Sequence, residues 1–168
     1  MRDSLKFFLR WQELYQKKLR DELFKDEYLV SQLSLLEQAI LKSRSAFEST
    51  GSFAFCAKCA QKGVKCCQAD LEWVVSPAEF ILNLMLADLK NTKIEFNYDR
   101  FEDCLFLGER GCNLILTPIF CRNFFCPELA EYLGKEKLIV IQNAMEDEAN
   151  LGFKLGDYLN KTYLEPYK

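Results

Sequence analysis

Phe55-Cys56-Ala57-Lys58-Cys59-Ala60-Gln61-Lys62-Gly63-Val64-Lys65-Cys66-Cys67 is the stretch on which the reading turns. Its counterpart runs from Cys104 through Gly111-Cys112 to Pro118-Ile119-Phe120-Cys121-Arg122-Asn123-Phe124-Phe125-Cys126. These two stretches hold all eight cysteines of the 168-residue chain, and the chain has no histidine. The spacing is C-x2-C-x6-C-C, a long gap, then C-x7-C-x8-C-x4-C. Metal bound here would be bound by sulfur, with carboxylate the other available anionic ligand.

Three readings compete for eight thiols: four disulfides, soft-metal ligands, or small buried core residues. Thiols used only for packing would scatter, whereas these cluster. A disulfide framework suits a short secreted chain that cannot build a core. This chain is 49% hydrophobic, and Met1-Arg2-Asp3-Ser4-Leu5-Lys6 has no apolar export segment. The spacing therefore points to metal, and reduced thiols point to a cytoplasmic protein. All eight residues, Cys56, Cys59, Cys66, Cys67, Cys104, Cys112, Cys121 and Cys126, are candidate ligands.

Neighbouring residues restrict how the thiols can be shared. The side chains of Cys66 and Cys67 diverge, which suits two sites, two irons of one cluster, or one ligand beside one buried thiol. Cys56 and Cys59 converge. The expectation is that the first block and the Cys121–Cys126 block close one centre, with Cys104 and Cys112 in a second centre or packed beside it. Irregular spacing and bulky neighbours (Phe53, Phe55, Phe106, Phe120, Phe124, Phe125) favour a shielded iron–sulfur cluster of the 4Fe-4S type over zinc, although core packing alone accounts for most of these rings. A four-thiolate centre is anionic, so Lys58, Lys62, Lys65, Arg110 and Arg122 are candidate counter-charges. Arg122 is the expected support behind the ligands; Lys62 and Lys65 read as solvated surface charges.

Outward from the cysteines the chain reads as mainly α, with little or no β. Residues 4–24 form an amphipathic helix with Leu5, Phe8, Trp11, Tyr15, Leu19 and Leu23 on one face. Residues 27–48 form a second, with Leu29, Leu33, Leu36 and Ile40 inward and Phe47 extending the stripe. The two are expected to pair as an antiparallel hairpin against the cysteine module. The first cysteine stretch is expected as a loop that doubles back at Gly63. Ser76-Pro77-Ala78-Glu79 starts a helix to about residue 90, with a capping serine, a proline in the first turn and a glutamate reaching back. Residues 94–103 read as a short strand or extended connector, and the apolar runs around Gly108–Gly111 as a small hairpin. Pro127 opens a short helix to about residue 133. A last helix follows over 136–164, with Leu138, Ile141, Met145, Leu151, Leu155 and Leu159 inward. Its Gly152-x-x-x-Gly156 marks close packing or a break.

One domain is expected, 1–168: a helical hairpin (1–50), a cysteine-cluster metal-binding module (53–127) and a C-terminal helical segment (128–168). A net charge of −3 predicts no nucleic-acid partner. No run approaches the about 18 apolar residues of a membrane span.

The blocks resemble the YkgJ-type cysteine-cluster family of zinc- or iron-chelating domains, whose pattern is C-x2-C-G-x-C-C, then C-x-F-L, then G-x-C-x-I-Y-x-x-R-P-x-x-C-R-x-F-P-C. Cys56, Cys59, Cys66 and Cys67 match the first block. Cys104-Leu105-Phe106-Leu107 matches the second; Gly111-Cys112, Pro118, Cys121-Arg122, Phe124 and Cys126 match the third. The first block carries four extra residues, and Ile115, Leu116 and Thr117 stand where the family has Tyr and Arg. The resemblance spans about 53–127 and implies metal chelation. The family is also similar to the cysteine-bearing core of flagellin lysine methylases, which implies an iron–sulfur cluster.

Three function classes follow. The first is a metal-binding protein with a redox, cluster-handling or regulatory role. The second is a metal-cluster enzyme, with Asp70, Glu72, Glu79 and Asp103 as candidate acids or bases, each more readily a helix-start or surface carboxylate. The third is a zinc-stabilised module that binds a protein partner through its helices.

Overall fold

The computed structural model describes residues 2–62, 66–109 and 111–167, without the side chains of Ala60 and Gln61. The expected Gly63 turn and the Lys65 and Arg110 counter-charges lie outside the described residues.

Helix α5 (Pro77–Leu89) organises the fold. Its run Phe80-Ile81-Leu82-Asn83-Leu84-Met85-Leu86-Ala87 is buried on every side, and a helix apolar all round must be covered all round. Its start follows the sequence signals. Ser76 Oγ accepts from the Glu79 N–H at 3.2 Å, Glu79 Oε2 accepts from the Ser76 N–H at 2.8 Å, and Pro77 occupies the first turn.

The surrounding helices cover α5. Helix α1 (Asp3–Leu14) runs on through a π-helical segment (Tyr15–Leu19) into α2 (Arg20–Leu23). The expected stripe from Leu5 to Leu23 is buried. Phe8 stands edge-on to Phe80 and Phe106, each at 4.9 Å between ring centres. Helix α3 (Glu27–Ser49) starts on Asp26, which accepts from the Leu29 N–H at 2.9 Å. The expected hairpin is not the main pairing. Helix α1 packs chiefly on α5, and α3 packs chiefly on α7 (Pro127–Leu159). The physical reason is that α5, apolar all round, offers α1 more surface than α3 could, while α3 finds its long partner in α7.

Helix α7 breaks at Gly134, whose φ of 67° and ψ of 171° lie outside the helical range, and this separates the two expected helices. A second π-helical segment (Asn160–Leu164) ends the bundle. Gly152 and Gly156 neither break the helix nor mark an unusually close approach. A Cβ built at either position would lie 3.6 Å from Leu116 or 3.9 Å from Ala78.

Residues 94–103 form no strand. The one small sheet among the described residues pairs β1 (Leu107–Gly108) with β2 (Gly111–Cys112), shorter than the apolar runs suggest. The first cysteine stretch is not wholly a loop: Cys56 and Cys59 lie on α4 (Ser52–Gln61). Gly51, at φ 80°, turns the chain out of α3, and α4 then gains helical hydrogen bonds and two ring contacts. Phe53 stacks on Phe47 at 5.3 Å and Phe55 on Tyr132 at 4.8 Å. The large core spans α1, α3, α5 and the end of α7. A smaller one joins Phe47, Leu129, Leu133, Ile141 and Met145. Among the described residues, no helix is long and apolar enough to cross a membrane.

Candidate metal centres

All eight cysteines are free thiols. Backbone bonds gather one group of them. Cys104 N–H donates to the Cys67 carbonyl at 3.0 Å, and Gln68 bridges Asp103. Leu107 N–H donates to the Cys104 carbonyl at 3.0 Å, and Leu107 pairs with Cys112 across the small sheet. Cys67, Cys104 and Cys112 are thereby brought together on the large core, into which Leu105, Phe106, Leu114 and Leu116 insert.

The thiols report the same neighbourhood electrostatically. Burial pushes Cys104 up to about 12, and the charges of Glu72, Cys112 and Cys67 push the same way against the Phe106 N–H. Burial pushes Cys121 up to about 11, with Cys112, Cys67 and Glu79 adding to it. Cys67 stands at about 11, from burial first and Cys112 next; Cys66 and Cys56 also reach it. Cys112 is exposed as a residue, yet desolvation is still the largest influence on its thiol. The Leu114 N–H, Thr117 and the positive charges of Arg122 and Arg44 oppose that rise.

The second group sits on the smaller core. Burial raises Cys56, and Cys126, Cys66 and Cys59 raise it further. Burial also raises Cys66, followed by Cys126, Cys59 and Glu128. Cys126 caps α7: its Sγ accepts from the Leu129 N–H at 3.4 Å.

The adjacent Cys66 and Cys67 have different leading thiol neighbours, Cys126 for Cys66 and Cys112 for Cys67, although Cys66 and Cys56 also act on Cys67. Cys121 and Cys126, expected to act together, also divide. Cys126 acts on Cys56 and Cys66, and Cys121 is acted on by Cys112 and Cys67. Helix α6 (Ile119–Arg122) and the turn after it carry the chain from one group to the other. As the side chains are placed, no three Cys, Asp or Glu among the described residues stand close enough to hold a metal ion. The donor chemistry nevertheless suits a soft metal, with four neighbouring thiols in each group and no competing imidazole.

Arg122 is 7% exposed and held on three sides. Its Nη1 donates to Ser43 Oγ at 3.0 Å, its Nη2 lies 3.3 Å from Glu148 Oε1, and its guanidinium stacks 5.3 Å over Phe47. It therefore locks α6 to α3 and α7 while placing positive charge near Cys112. Lys58 and Lys62 are exposed. Of the six neighbouring phenylalanines, Phe106 is fully buried, Phe55 and Phe125 are half-buried, and Phe53, Phe120 and Phe124 are exposed, so core packing explains only part of the set.

The candidate carboxylates divide as well. Glu79 serves the cap of α5, and Asp70 is exposed in a left-handed turn. Glu72 and Asp103 are not surface groups: they are 1% and 2% exposed. Glu72 accepts from Ser4 Oγ at 2.6 Å and from the Leu105 N–H at 3.3 Å, tying α1 to the second cysteine stretch. Asp103 pairs with Arg100 at 3.4 Å.

Sequence reasoning missed three buried polar residues that position these groups. Asn83 accepts from the Leu116 N–H at 2.9 Å and donates to the Leu116 carbonyl at 3.0 Å. Ser43 and Glu148 flank Arg122. A signal existed for all three. Each falls on an inward stripe, Ser43 between Ile40 and Phe47, Asn83 between Phe80 and Ala87, and Glu148 between Met145 and Gly152. A polar residue on an apolar face needs a partner.

Compared with protein-family models, with curated proteins and with solved structures, the chain matches none.

Proposed function

We propose that this is a metal-binding protein of the reducing cytoplasm whose thiolates hold iron–sulfur clusters in two centres, with a redox, cluster-handling or regulatory role. The observation that carries this reading is that all eight thiols are free, that backbone bonds draw Cys67, Cys104 and Cys112 together, and that Cys56 and Cys66 neighbour Cys126. Cys56, Cys59, Cys66 and Cys126 would hold one centre. Cys67, Cys104, Cys112 and Cys121 would hold the other. The resemblance to the YkgJ-type family supports metal chelation by the same residues.

An iron–sulfur cluster supplies one-electron chemistry whose potential is set by charge, hydrogen bonds to sulfur and solvent exposure. The chain differs at its two sets in those respects. Cys56 and Cys66 are exposed, and Cys126 caps α7. Cys67 and Cys104 rest on the large core, and Arg122 and Arg44 lend positive charge at Cys112. A second reading, structural zinc, is favoured by one observation: the thiol-bearing segments have short elements and little core of their own.

Iron, zinc and acid-labile sulfide measured on protein purified without oxygen test the proposal. About four irons and four sulfides are expected per four-iron centre, hence about eight of each per chain. Cys59→Ser and Cys104→Ser should each remove about half of the iron. Zinc with no sulfide would overturn the cluster reading. Loss of all iron with either substitution would replace two centres by one.

A further inference from the structure

Beside the second thiol group lies a cavity of about 300 Å³ that the metal reading does not use. It opens between the start of α5, the segment leading into α6, and the Glu148–Asn160 face of the C-terminal helix. At its base is Glu148, 4% exposed. The carboxylate is paired in charge with Arg122, 3.3 Å from Oε1. Ser43 stands close enough to favour its ionised form but not in hydrogen-bond geometry, and neither Glu148 oxygen accepts a hydrogen bond. Buried acceptors normally find donors. Arg122 gives an N–H to Ser43, and its Nη2 faces Oε1 without bonding it, so the ion pair leaves Oε2 with no donor.

The rest of the lining tells what donor fits. Arg122 is the single cationic side chain in the wall, against Glu148 and two further carboxylates, Glu79, which serves the α5 cap, and Asp157, which pairs with Lys161 at 2.8 Å. Phe153, 80% exposed, presents an aromatic ring at the cavity, a surface that suits either an ammonium or a short apolar chain. Gly152 and Gly156 also line it. Alanine would fit at both, since the nearest atoms to an added Cβ stand at ordinary contact distance, 3.6 and 3.9 Å. Glycine is the costlier residue within a helix, and what these two leave open is cavity. The volume lies at the lower end of ligand pockets, about 300–1,000 Å³, so the occupant is small.

We infer that this cavity binds a small organic cation, a primary amine or amidine carrying a short apolar body, whose N–H groups are received by Glu148. Neither metal nor the identity of the thiol-bound group enters the argument.

Isothermal titration calorimetry on the full chain, as purified with its metal, tests it with n-butylamine and benzamidine as probes and n-butanol and butyrate as controls. Saturable one-to-one binding of the cations, and none of the controls, is expected. Glu148→Gln should weaken binding about 10- to 100-fold, the range of a charge-assisted hydrogen bond. Phe153→Ala, a surface change that leaves folding alone, should weaken it about 2- to 5-fold. If Glu148→Gln fails to fold, Phe153→Ala and the controls still decide. Equal binding of butanol or butyrate, no binding of either cation, or cation binding untouched by Phe153→Ala would overturn the inference.

Discussion

The α5 side of the molecule and the thiol-bearing side are held by different physics. Around α5, large side chains are wholly buried and meet ring to ring: Phe8, Phe80 and Phe106 are at most 1% exposed. On the thiol side the elements are short, the sheet has two residues per strand, and Phe120 and Phe124 are 61% and 54% exposed. The first region is stabilised by removing apolar surface from water, which is roughly proportional to area and needs no ligand. The second is organised by a few backbone bonds and buried polar links, which fix direction but contribute only about 1 kcal/mol each. A bound metal would add most where intrinsic stability is least.

The largest blow to this contrast is Phe80→Ala. Phe80 is fully buried and contacts Phe8 at 4.9 Å, Phe106 at 6.0 Å and Phe96 at 6.2 Å. Its loss should cost about 3–5 kcal/mol, read as a lowered urea midpoint for the whole helical transition. If the thiol region carried folding instead, the midpoint would hardly move.

A smaller change probes the seam between the two regions. Asn83→Ala leaves both the N–H and the carbonyl of Leu116 without their buried partner. The expected cost is about 2–3 kcal/mol. It should come with faster alkylation of Cys112 in metal-stripped, reduced protein and unchanged helical circular dichroism. Equal loosening everywhere would show that the seam is not the weak line.

The smallest effect lies at the far end of the bundle, where the stable region alone is tested. Burial raises the Asp26 carboxyl, but the Leu29 N–H and the hydroxyls of Tyr158 and Tyr163 outweigh it and hold the group below the usual carboxylate range. A folded-state value below the unfolded one gives stability that is present above the unfolded value of about 3.9 and lost as pH falls through the folded value. Asp26→Asn should therefore cost under about 1 kcal/mol at neutral pH, since the site is mostly solvated and asparagine also caps. Wild type and variant should converge in acid. A gap that persisted there would point to packing at Tyr158 and Tyr163.

Much of the helical half is legible residue by residue. Leu5, Phe8, Trp11, Tyr15, Leu19 and Leu23 recur at helical steps and all are buried, because amphipathic spacing is a local property that tertiary context seldom reverses. The cap at Ser76 and Glu79 is equally local. The hairpin expectation failed because it weighed the stripes of α1 and α3 against each other and not against α5 and α7, on which they pack instead. At the candidate centres, the clustering of the thiols along the chain was readable from spacing alone. The helical placement of Cys56 and Cys59 was not, since it depends on Phe53 and Phe55 finding Phe47 and Tyr132.

By itself, then, the amino-acid sequence determined the helices of α1, α3, α5 and α7, where α5 begins, and that the thiols cluster along the chain. Each follows from contacts within a few residues. Only the tertiary structure decided that Cys126 joins the first thiol group and Cys121 the second, that Arg122 is clasped between Ser43 and Glu148, and that a cavity opens beside them. Those depend on residues up to about a hundred positions apart meeting across α3, α6 and α7, and no local spacing carries that information.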